Sequence, residues 1–199
     1  MTLASNQKSY GIIAKSFHWL CAALFAISYT SIYYRNLFAD TEFQTWIAIQ
    51  LHMSVGISFL GIIVLRLIWR SVDKSVCADG INRLHRFSIK LGHLLLYLVM
   101  IMMPSTGLLS LVIYLSNGGG HIDFFFMHNL EFSFLSSALS SFEIAISKVE
   151  NASSEIHETI GRFVASTLIL GHITAALTHH YVLRDNTLQK IAFSLRRRA

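Results

Sequence analysis

Four long apolar stretches, parted by segments rich in charge and turn residues, organise the chain: residues 13–34, 46–69, 89–115 and 156–181. Each exceeds the roughly 17–20 residues an α-helix needs to cross a bilayer core. The pattern predicts an all-α membrane protein, a four-helix bundle forming one integral membrane domain over residues 1–199. A segment of about forty residues, 116–155, would lie outside the membrane between the third and fourth stretches. The first stretch is too long for a signal-peptide core and has no small-x-small cleavage site after it, so it reads as a span. Pro104, followed by Gly107, predicts a kink in the third. The part from Leu130 to Val149 has the pattern of an amphipathic surface helix.

Composition agrees: 53% of the 199 residues are hydrophobic and 14% charged, against about a quarter charged in soluble domains. Of the 16 lysines and arginines, all but Arg35, Lys148 and Arg162 fall in, or within a turn of, the N-terminal tail, the loop after span two or the C-terminal tail. That bias predicts cytoplasmic termini in a multi-pass membrane protein. It also explains the net charge of +5 by topology and anionic lipid, with no need of a nucleic-acid partner. Cys21 and Cys77 suggest no disulfide, and the lack of a C-x-x-C-H motif rules out the usual covalent haem attachment.

The candidate chemistry lies in the histidines. Ionisable groups inside a membrane are expensive and mark function. Span four carries His157 and His172, and in an unbroken α-helix their fifteen-residue separation brings them within roughly 60° of one face and about 22 Å apart. His18 lies near the start of span one and His52 near the start of span two. All four are followed one turn later by a small residue: Ala22, Gly56, Gly161 and Ala176. Such a residue leaves room for a flat macrocycle beside a ligating ring. Depth pairs His52 with His157 towards the outer side. It pairs His18 with either His172 or His179 towards the inner side; depth alone favours His179, whereas the small-residue pattern favours His172. Two imidazoles per site suit a six-coordinate haem iron and are too few for zinc.

The motifs SFHWL, LHMSVGISFLGIIVLRLIWR, LGHLLLYLVMIMMPSTGLL, HETIG and GHITAALTHHYVLRDNTL make the chain resemble the bacterial cytochrome b561 family of four-helix, di-haem membrane proteins. The resemblance implies two b-type haems with iron ligands His18 and His172 at one and His52 and His157 at the other. It implies electron transfer between the outer face and the quinone pool. One branch of that family oxidises superoxide and reduces ubiquinone. The sequence departs from the family pattern in the long aromatic outer segment and in Arg162, below the outer ligand.

Around the inner haem, His93, His179 and Arg83 are the candidate quinone-site residues, since a quinone head group needs hydrogen-bond donors and proton carriers. For Arg83 and Arg86, positive-inside topology alone is the favoured account. Three functional classes follow: a quinone-linked oxidoreductase, a haem-carrying anchor for a partner redox subunit, and a histidine-containing transporter without haem. The outer loops carry Asp40, Glu42, Asp123, Glu131, Glu143, Glu150 and Glu155 against few cations, a surface ill suited to steer a superoxide anion.

Overall fold

The computed structural model describes residues 10–73, 83–116, 121–130 and 146–193. Four helices are long and apolar enough to cross a membrane: Ile12–Leu37, Glu42–Val72, Arg86–Leu115 and Lys148–Tyr181. They coincide with the four hydrophobic stretches and overrun them by a few residues. The first three spans lie in α1 (Ile12–Leu37), α2 (Glu42–Val72) and α3 (Arg83–Ser116). The fourth is composite: α4 (Ile146–Thr159), a π-helical turn (Ile160–Ala165) and α5 (Ser166–Tyr181). A short helix, α6 (Thr187–Ile191), follows.

Local signals account for the ends. α2 starts at a capping box, in which the Gln44 N–H donates to Thr41 Oγ1 and the Thr41 N–H donates to the Gln44 side chain. Two orphan donors of the first turn are thereby satisfied. α3 runs through Pro104 as one helix. Large apolar side chains such as Leu65, Leu94, Leu170 and Ile173 are exposed, as suits a surface whose solvent is hydrocarbon. Cys21, Phe59 and Ile63 form the buried core, joined by Leu24, Phe25 and Tyr97, so that α1, α2 and α3 meet there.

The start of α1 and the segment after α5 share one face, here called the near face. The buried ammonium of Lys15 donates to the Ala192 carbonyl at 2.9 Å, and the Trp19 indole donates to the Ile191 carbonyl at 3.2 Å. At the opposite, far face the pattern of apolar stretches gave no hint of a small β-hairpin, yet one is present. Its strands β1 (Ile122–Phe124) and β2 (His128–Leu130) pair antiparallel, with Phe124 opposite His128. The tip residues Phe125 and Phe126 have φ of 47° and 62°, a left-handed region costly for residues with a Cβ.

The docking of this hairpin on α2 offsets that cost. Ile122 is fully buried. Buried Gln50 donates to the His121 carbonyl and accepts from the Asp123 N–H, and Ser54 Oγ accepts from the Phe125 N–H at 2.9 Å. Residues 131–145, which include most of the expected amphipathic surface helix, lie outside the described residues. From Ile146 the chain is helical and continues directly into span four.

Candidate functional site

Two pairs of imidazoles face each other between the spans. Towards the far face, the rings of His52 on α2 and His157 on α4 have centroids 6.0 Å apart, at 84° to one another. Towards the near face, His18 on α1 and His172 on α5 stand 6.2 Å apart at 53°. A metal bonded to one nitrogen of each ring at about 2 Å, with half a ring on either side, requires a centroid separation of about 6 Å. Both pairs have that spacing. Among the described residues no three metal-ligating side chains converge. A macrocycle that brings four nitrogens of its own fits two imidazoles; a bare zinc ion does not.

The far pair is held by backbone. His52 Nδ1 lies 3.1 Å from the Ser28 carbonyl and from Ser28 Oγ. His157 Nδ1 lies 2.8 Å from the Met103 carbonyl, with Thr106 Oγ1 at 3.4 Å. A carbonyl only accepts, so each Nδ1 carries the proton and each Nε2 keeps its lone pair, the tautomer a metal ligand needs. Gly107 makes the His157 pose possible. A Cβ there would lie 2.8 Å from His157 Cε1 and 3.0 Å from Nδ1. The glycine expected to bend α3 thus has a second role, invisible without the packing partner.

Of the four small residues after the histidines, Gly56 faces open space, as a macrocycle beside His52 would need. Gly161 differs: a Cβ there would meet Met103 Cε at 3.0 Å, and its carbonyl accepts from Tyr29 Oη at 2.7 Å and Ser166 Oγ at 3.0 Å. Gly161 lies in the π turn, which frees carbonyls that an α-helix would occupy. A six-residue π turn also winds roughly 100° less than α-helix of that length. The single face expected for span four is therefore re-aimed midway: His157 turns to His52, and His172 to His18 and His93.

His93 is the addition to the near site. Its ring lies 6.0 Å from that of His172 at 82°, and its Nδ1 is tied to the Ile89 carbonyl one turn back at 2.7 Å. The side chain is exposed, so its Nε2 can meet a ligand from the lipid side. His179 is engaged elsewhere: its Nδ1 is 2.5 Å from Asp185 Oδ2. The Asp185 carboxyl, which desolvation alone would push up, is held down at about 2 by the Thr187 hydroxyl and amide and by His179. Arg83 opens α3 and is exposed. Arg162, the departure noted below the far ligand, is exposed and lies 3.7 Å from Glu158.

Known proteins resemble the chain along most of its length. A family profile described as prokaryotic cytochrome b561 matches residues 9–193. The chain is 27% identical over 192 residues to a protein named probable superoxide oxidase CybB from Yersinia pestis, covering 93% of this chain and 96% of that one. It is 28% identical over 179 residues to cytochrome b561 homolog 1 of Escherichia coli K12, covering 87% and 91%. A second protein of that strain, cytochrome b561 homolog 2, matches over 117 residues at 27% identity, covering 55% and 58%. Spanned four times by apolar helices and matched along nearly its whole length, the chain belongs to the prokaryotic cytochrome b561 family, bacterial multi-pass membrane proteins that transfer electrons through b-type haem.

Proposed function

We propose that the chain carries electrons across the membrane through two b-type haems, one held by His52 and His157, the other by His18 and His172, and exchanges them with ubiquinone near the second. The observation that carries this reading is the pair of ring separations, 6.0 and 6.2 Å, on opposite halves of one bundle. Haem iron, when bound, would supply a one-electron centre, and an iron held by two imidazoles would serve electron transfer and not oxygen binding. The protein orients each ring, fixes its protonated nitrogen on a carbonyl at the far site, and keeps water out with Cys21, Phe59 and Ile63. His172 is preferred to His179 as the near ligand because its ring stands 6.2 Å from that of His18, the spacing a shared metal requires.

The near face, with its lysines and arginines, is the cytoplasmic one in this reading. There His93 presents a free Nε2 as hydrogen-bond donor or acceptor to a quinone carbonyl, and His179, backed by Asp185, is placed to hand over a proton. Arg83, exposed at the start of α3, would attract the head group. The activity named for the Yersinia relative extends the proposal to superoxide as far-face donor; a haem-carrying anchor of a partner redox subunit is the alternative.

A reduced-minus-oxidised spectrum with haem quantitation tests the core of this: two haems per chain in the wild type, one in His52→Ala, none in His52→Ala/His172→Ala. Full haem content in the double variant would refute it. His93→Ala should slow reoxidation by a soluble ubiquinone about tenfold or more with haem content intact, as expected for loss of one positioned proton carrier. Stopped-flow spectra after a superoxide pulse test the donor; haems that stay oxidised would exclude it.

A further inference from the structure

Two arginines of span two converge on one aromatic ring beside the near site. The guanidinium carbons of Arg66 and Arg70 lie 5.6 Å and 5.5 Å from the centre of the Tyr97 ring on α3. Tyr97 is one turn beyond His93 on the same helix face, and His93 is 6.0 Å from His172. Arg66 also lies within electrostatic reach of both His18 and His172. Tyr97 itself packs against the Cys21–Phe59–Ile63 core. Both guanidiniums are turned to the Tyr97 ring, Arg66 half-buried and Arg70 exposed, where topology alone would have let them reach for headgroups.

Such a pair is costly as it stands. Arg66 and Arg70 are one turn apart, so like charges repel. Among the described residues neither guanidinium forms an ion pair with a carboxylate. On the same stretch of helix the indole Nε1 of Trp69 is buried with no acceptor, although an indole N–H can only donate. Two cations on one aromatic ring, with an orphan donor between them in the sequence, suit an oxyanion. Arginine forks match a carboxylate in two parallel hydrogen bonds, stronger than neutral ones.

We infer that Arg66, Arg70 and Trp69 form a carboxylate clamp for a propionate of the near-face haem, with Tyr97 as the platform that holds both guanidiniums in place. The inference rests on the haem reading above and adds three residues to it. It also separates this haem from the far one, where Arg162 points to solvent and meets Glu158.

The test uses the full-length chain in a His52→Ala background, which leaves the near haem alone. The cells are supplied with a haem precursor carrying carbon-13 in the carboxyl groups that become propionates. Redox-difference infrared spectra should show a label-sensitive carboxylate band that moves in R66Q/R70Q and moves less in R66K. Retention of haem against a haem-scavenging protein should weaken by roughly 10- to 100-fold in R66Q/R70Q. Haem dimethyl ester, which has no carboxylate, should be retained equally by wild type and variant. Should R66Q/R70Q lose the haem outright, R70Q carries the same readouts.

An unmoved labelled band with haem retained overturns the clamp. So does an unmoved band accompanied by loss of co-purified anionic lipid, which would assign the arginines to a lipid phosphate. Absence of haem from the background protein would instead refute the reading beneath it.

Discussion

At the far face, His157 owes its position to what α3 lacks at residue 107. A methyl group there would lie inside contact distance of the imidazole, and the ring, pinned to the Met103 carbonyl, has nowhere to retreat. On the two-haem proposal, Gly107→Ala should therefore cost the far haem while the near one survives, as read from haem-to-protein ratio and the loss of one component of the α-band. Retention of both would mean that the ring or α3 yields. At the near face, the carboxyl of Asp185 sits at about 2 instead of the usual 3.8. A depressed carboxyl contributes stability that is full above its unfolded value and is lost as pH falls through the folded one. Asp185→Asn should lower the melting temperature at neutral pH and make much less difference near pH 2. An equal drop at both would show that the effect is not ionic. Histidines in spans were legible in the sequence because lipid makes polar groups conspicuous. The role of Gly107, the engagement of His179 and the nearness of His93 to His172 were not, since each depends on a partner more than a turn away or on another helix.

Among the elements, the four spans were foreseeable and the two irregular ones were not. Hydrophobic length is a local property, readable without neighbours. A π turn is not: Ile160–Ala165 has nothing unusual in composition, and it persists because Tyr29 and Ser166 satisfy the carbonyl of Gly161. The hairpin was hidden for a similar reason. Its strands of three residues are too short to show a period, and its backbone is paired in part by side chains of α2. Gln50→Leu would leave the Asp123 N–H and the His121 carbonyl without their partner, at about 1–3 kcal/mol for each group that stays dry. We expect rapid proteolysis within residues 121–130 with the bundle's own melting unchanged; protection equal to wild type would show that Ile122 alone holds the hairpin.

At the scale of the whole molecule, the π turn lets one span serve two sites that need different azimuths, so each half of span four faces its own partners. The order of the bundle then follows from where histidines sit along each span and not from any repeat in the sequence. The near face adds a closing contact. Lys15 is 6% exposed, with its ammonium on a carbonyl 177 residues further on. Removing residues 187–193 should destabilise the chain strongly, because a buried ammonium loses its acceptor. Lys15→Met in the same shortened chain should restore part of the loss, as thermal unfolding in detergent would record. No recovery would place the contribution of α6 elsewhere.

That contact also sets an order of events during biogenesis. Lys15 is translated long before the oxygen that accepts its hydrogen bond, so this fastening can form only when the chain is almost finished. Until the C-terminal segment docks, the start of the first helix lacks it, and the near end of the bundle closes late in assembly.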